Sequence, residues 1–138
     1  MSEVDALQTV LAAEHAAVHV YGALGGQTSA SAQPGLYAAL QDAHAVHRDR
    51  RDRVVAQLEG LDATPVPAAP AYELSADLGS TAAVTARARE LEAGCAATYG
   101  FWVASTTGAL RRWAVESLTD AAVRGLAFGA EPEELPGI

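Results

Sequence analysis

Apolar residues recur at alternating spacings of three and four along four stretches of this chain, and that period marks helices with one buried stripe. Over 3–25 the stripe reads Val4, Leu7, Leu11, Glu14, Val18, Tyr21 and Gly25. Over 34–60 it reads Leu36, Leu40, His44 or Ala43, His47, Arg51 or Arg50, Val54 and Leu58, running on to Leu61. A third helix is predicted over 80–105, with Ser80 or Thr81 as its cap, and a fourth over 109–128. The breaks between them differ in kind. "GGQTSASAQPG" (Gly25–Gly35) is a short breaker-rich loop, and "STTG" (Ser105–Gly108) reads as a tight turn. "GLDATPVPAAPAYELSADLG" (Gly60–Gly79) is proline-rich and favours an extended path. At about 3 Å per residue it reaches some 60 Å, while a helix of about 25 residues is about 37 Å long. The predicted fold is therefore a single all-α domain over 1–138. It is a four-helix bundle of two antiparallel hairpins joined by one long proline-rich crossover, the ferritin-like arrangement.

Composition supports this picture. Half of the 138 residues are apolar and 19% are charged, as expected of a globular chain. Alanine dominates and β-branched runs are scarce, which favours helix over strand. The single cysteine, Cys95, forms no intramolecular disulfide, and a reduced, cytoplasmic setting is expected. "MSEVDALQTV" lacks the basic and apolar regions of a signal peptide, and no apolar run approaches a membrane span. A net charge of −8 argues against nucleic-acid or membrane partners. The one basic stretch, "RDRRDR" (Arg48–Arg53), mixes four Arg with two Asp and does not read as a phosphate-binding patch.

The chemistry is concentrated at mid-helix. Glu14 and His47 occupy the centres of the first two helices and lie in their apolar stripes. Glu92 lies near the centre of the third, among Ala88, Cys95, Ala96, Tyr99 and Val103. A carboxylate in a core must meet a cation, a donor or a metal. Two main readings follow, with a small-molecule pocket, its ligand unknown, as a third. In one, Glu14, His47 and Glu92 form a buried network with Arg51 and Arg124. In the other, carboxylates and histidine from facing helices ligate metal, with His44 and Glu116 as further donors. His15 and His19 share an i, i+4 spacing that suits zinc. Their place at the edge of the apolar face reads instead as surface or interface. Tyr21, Tyr99, Trp102 and Trp113 read as core or interface aromatics, and Cys95 as a small core residue. There is no Gly-rich phosphate loop and no Ser–His–Asp signature.

"LAAEHAAVHVYG", "HRDRRDR", "PVPAAPAYEL" and "LE" followed by "ATYG" together resemble an actinobacterial ferritin-like family of unknown function, across nearly the whole chain. That resemblance implies the ferritin-like fold and carries no established activity with it. Di-iron ferritin-like proteins offer Glu on the first and third helices and Glu-x-x-His on the second and fourth. Glu14 and Glu92 match the first and third. His44 and His47 keep the i, i+3 spacing, with histidine in place of the glutamate. Glu116 is followed by Thr119 where the second histidine belongs. Two ligands are changed, which counts against an intact di-iron oxidase. The expectation is a non-catalytic binding or structural module with no cofactor, forming a homodimer. The alternative is an iron, manganese or zinc protein using Glu14, His47 and Glu92.

Overall fold

The computed structural model describes residues 2–74 and 77–138. Four helices follow in order: α1 (Glu3–Gly26), α2 (Pro34–Gly60), α3 (Thr81–Ala104) and α4 (Gly108–Ala127). Two of them, α1 and α3, start where a serine side chain satisfies a free amide. Ser2 and Asp5 exchange hydrogen bonds in a capping box at α1, and Ser80 accepts from the Ala83 amide at α3. Pro34 opens α2, where its missing N–H would have had no intrahelical partner. Among the described residues there is no strand, and no helix is long and apolar enough to cross a membrane.

Packing follows the two predicted hairpins. α1 lies against α2, α3 against α4, and α1 against α3. Leu7, Leu11, Leu24, Leu40, Leu58 and Trp102 are fully buried between them, each contributing about 1.5–3 kcal/mol of burial. Trp102 meets Trp113 edge-on at 5.0 Å and ties the α3–α4 hairpin near its turn. α2 and α4 meet differently, through polar links. Arg50 reaches Asp120, Arg124 reaches Asp42, and Arg53 lies over the Trp113 ring at 4.4 Å.

The crossover between α2 and α3 is fastened along α1. Gln8 donates to the Thr64 carbonyl and accepts from the Val66 amide, both at 2.8 Å. His15 donates to the Val66 carbonyl at 2.9 Å, and His19 lies against Tyr72 with ring centroids 5.1 Å apart. The i, i+4 histidine pair therefore anchors the linker, and its spacing serves a chain that runs along one helix face.

The residues after α4 double back over the α3–α4 groove. Phe128 is buried and Arg89 donates to its carbonyl at 3.1 Å. Gly137, at φ +82°, sits where a Cβ would collide with the Ala96 carbonyl. This closing strap depends on a glycine for both its conformation and its close approach. Gly137→Ala should lower stability by about 1–3 kcal/mol, read by urea denaturation. Unchanged stability would show that the strap is not held at Gly137.

Candidate functional site

Glu14 of α1, His47 of α2 and Glu92 of α3 meet at the centre of the bundle, each at most 1% exposed. His47 Nδ1 donates to Glu14 Oε2 at 2.6 Å, and Nε2 donates to Glu92 Oε1 at 2.8 Å. A carboxylate only accepts, so both ring nitrogens carry protons and His47 is an imidazolium. Burial alone would lower its pKa, but the hydrogen bonds to Glu14 and Glu92 outweigh burial and carry it up to about 9.

Two tyrosines complete the centre. Tyr21 donates to Glu92 Oε1 at 2.6 Å, and Tyr99 donates to Glu14 Oε1. The pairing is crossed: Tyr21 follows Glu14 by seven residues on α1, and Tyr99 follows Glu92 by seven on α3. α1 and α3 run antiparallel, so each tyrosine lands opposite the other helix's glutamate. Tyr21 also stacks on the His47 ring, with centroids 5.4 Å apart.

Arginines flank the site on both sides. Arg50 donates to the Tyr99 hydroxyl at 2.8 Å and stands 3.6 Å from Glu14 Oε1. Arg124 Nε stands 3.8 Å from Glu92 Oε1. Asp120 links the two, at 3.3 Å from Arg50 and 3.2 Å from Arg124. Three cations, His47, Arg50 and Arg124, thus stand among three carboxylates, Glu14, Glu92 and Asp120. Glu92 Oε2 is buried without a partner among the described residues.

The structure corrects the sequence reading at three positions. The buried arginine is Arg50; Arg51 lies nearer the surface and pairs with its neighbour Asp52 at 2.9 Å. Both fit the stripe from sequence, but α2 buries Ala43, His47, Arg50 and Val54, and the 47-to-50 step is three residues. Glu116 is exposed, because α4 turns Trp113, Ala114, Ser117, Ala121 and Gly125 inward. His44 is only partly buried, near Gly22 and outside the network, and burial together with Arg48 and Arg51 lowers its pKa. Glu14, His47 and Glu92 are brought together, with Arg124 at the edge. Cys95 is also close: one atom each of His47, Glu92 and Cys95 lie within 4.8 Å of one another. Burial pushes the Cys95 thiol pKa up.

Beside Glu92 is a cavity of about 350 Å³ between α3, α4 and the strap, lined by Glu92, Ala93, Ala96, Ala97, Ala121 and residues from 130 onward, among others.

The fold and site define an all-α four-helix bundle with a buried Glu–His–Glu centre braced by tyrosine and arginine. The chain belongs to the family described as "Domain of unknown function (DUF4439)", which matches residues 6–138. A solved structure of a conserved hypothetical protein, rv2844, from Mycobacterium tuberculosis is similar to it. The two share 30% identity over 91% of this chain and 93% of that one, with a TM-score of 0.82. No curated protein matches.

The centre makes stability depend on pH. The folded pKa of His47 lies above its ordinary 6.5, so its contribution is full below 6.5 and is lost as pH rises through about 9. The loss should amount to about 3 kcal/mol. Tyr21, Tyr99 and Cys95 act in the same direction, but only above their ordinary values of 10.0, 10.0 and 9.0. His44, shifted down, acts only near and below 6.5. Urea titrations between pH 7 and 8.5 should therefore show a steady fall in stability that His47→Gln removes. A wild-type profile as flat as that of the variant would contradict the imidazolium.

Proposed function

We propose that the protein is a ferritin-like bundle in which a self-contained ion network stands where metal-dependent bundles hold their ions, and that it works as a non-catalytic binding module. The observation that carries this reading is the double donation from His47 to Glu14 and Glu92. The connectivity of two hairpins and one long crossover supports the ferritin-like assignment.

The donor set fits a metal poorly. A ligating histidine needs a bare nitrogen, and both nitrogens of His47 are engaged as donors. Arg50 and Arg124 bring permanent positive charge to within 4 Å of the two glutamates. At an effective dielectric of 20, unit charges 4 Å apart interact by about 4 kcal/mol, and a divalent ion doubles that. Each arginine that attracts a glutamate would repel a metal more strongly. The second reading, a metal held by His47, Glu92 and Cys95, is favoured by their mutual proximity. It requires loss of a proton from His47 and from a thiol whose pKa burial has raised. Both losses oppose it.

Elemental analysis of protein purified without chelator should find no stoichiometric metal, and iron(II), manganese(II) or zinc(II) should leave the melting temperature unchanged. One tightly held ion per chain, lost in His47→Gln, would overturn the proposal.

A further inference from the structure

α4 carries apolar residues on both of its faces. Trp113, Ala114, Ala121 and Gly125 turn into the bundle. Val115, Val123 and Leu126 turn outward at 45%, 59% and 44% exposure, with Thr119 exposed among them and Leu118 and Ala122 half-buried. A helix that is apolar all round belongs in an interior, and a contiguous exposed apolar face marks a contact surface. The spacing is that of a helix–helix seam. Val115, Thr119, Ala122 and Leu126 fall four, three and four apart, as the a and d positions of a coiled coil do. The charges of this stretch lie off the seam, toward α2, where Glu116 and Asp120 line the α2–α4 cleft and Arg124 pairs with Asp42. The order of spacings reads the same in both directions. Two copies of α4 laid antiparallel therefore set Val115 against the partner's Leu126, Leu118 against the partner's Val123, and Thr119 against the partner's Ala122. The ends of the face complement each other as well. Arg111 and Arg112 are exposed at its N-terminal end, and Glu131, Glu133 and Glu134 are exposed just beyond its C-terminal end. None of these five enters an ion pair among the described residues. The same antiparallel register brings Arg112 level with the partner's Gly129, two residues before the first of those glutamates.

We propose that the outward face of α4 docks a second copy of this chain, the two helices packing antiparallel about a twofold axis that passes between Thr119 and Ala122. A twofold contact presents the same surface from both copies, so that surface must be complementary to itself. This one is, with an apolar middle, a basic end and an acidic end. The residues nearest the axis, Thr119 and Ala122, are small, which suits interaxial distances at the close end of about 8–10 Å. The charged ends choose the direction. Parallel packing would bring arginine to arginine and glutamate to glutamate, whereas antiparallel packing brings each to its opposite. Eleven residues separate Val115 from Leu126, so the seam is about 16 Å long. That is a small contact, of the size class that forms and dissolves readily, and a dissociation constant in the micromolar range is expected. Glu14, His47 and Glu92 lie on the inward side of α4, so this inference does not depend on what that centre holds.

The test is sedimentation equilibrium of the full chain across loading concentrations from about 1 μM to about 1 mM, at low ionic strength. Wild type should pass from monomer to dimer within that range. Leu126→Asp places a charge on the seam twice per dimer and should weaken association on the order of 100-fold, with far-UV circular dichroism unchanged because the position is exposed. A second arm reads the direction of packing. Arg112→Glu, and separately the double variant Glu131→Arg with Glu133→Arg, set like charges at both ends of an antiparallel pair. Each should weaken self-association about tenfold. An equimolar mixture of the two variants should recover wild-type affinity, since every end then meets its opposite. A chain that stays monomeric throughout the range would overturn the proposal. So would a dimer indifferent to Leu126→Asp, charge variants that pair alone as well as wild type does, or a mixture no tighter than its components. Larger assemblies that grow with concentration would mark a contact that does not close on itself, and would overturn it too.

Discussion

A single buried imidazolium, donating one proton to each of two glutamates, sets the terms for the rest of the molecule. Two carboxylates facing each other in a core repel, and each carries a desolvation penalty of several kcal/mol. His47 settles both at once because its two nitrogens point in opposite directions, one toward α1 and one toward α3. Since the three residues belong to three helices, the two hydrogen bonds also fix the relative height of those helices. A slip of one turn would strand two acids and a cation in apolar surroundings, which penalises wrong registers even though such networks add little net stability.

The surrounding side chains follow from that arrangement. Tyr21 and Tyr99 satisfy remaining carboxylate lone pairs from across the bundle, and Arg50 and Arg124 bring charge from α2 and α4. α2 and α4 are joined through Asp120 and Asp42 to these arginines, so that side of the bundle is held by ion pairs where the others are held by alanine and leucine. The arrangement is complete around Glu14 and incomplete around Glu92, whose Oε2 has no partner among the described residues.

Much of this was legible in the sequence. Helix spans, the two short turns and the long crossover are encoded by period, glycine and proline. Glu14, His47 and Glu92 stand out because each interrupts an apolar stripe near mid-helix. Other features resist one-dimensional reading. Arg50 and Arg51 are 100° apart on a helix and both fit a stripe with mixed spacings of three and four, so only packing decides between them. The inward face of α4 was hidden because its apolar residues, Val115, Val123 and Leu126 included, lie on all sides, and those three are exposed. The tyrosine hydroxyls did leave a signal, the matched +7 spacing from Glu14 to Tyr21 and from Glu92 to Tyr99. Its meaning depends on knowing that α1 and α3 are antiparallel neighbours. The cavity leaves no such trace, because it arises where a strap crosses two alanine-rich helices.

The most direct test of the central claim is nitrogen-15 NMR of the His47 ring, assigned by comparison with His47→Gln. At pH 8 both ring nitrogens should appear protonated, with protons protected from solvent exchange, and the ring should titrate near the value of about 9 set by its two carboxylate partners. A single protonated nitrogen at pH 8, the signature of a neutral tautomer, would contradict the account and return His47 to the set of available metal ligands.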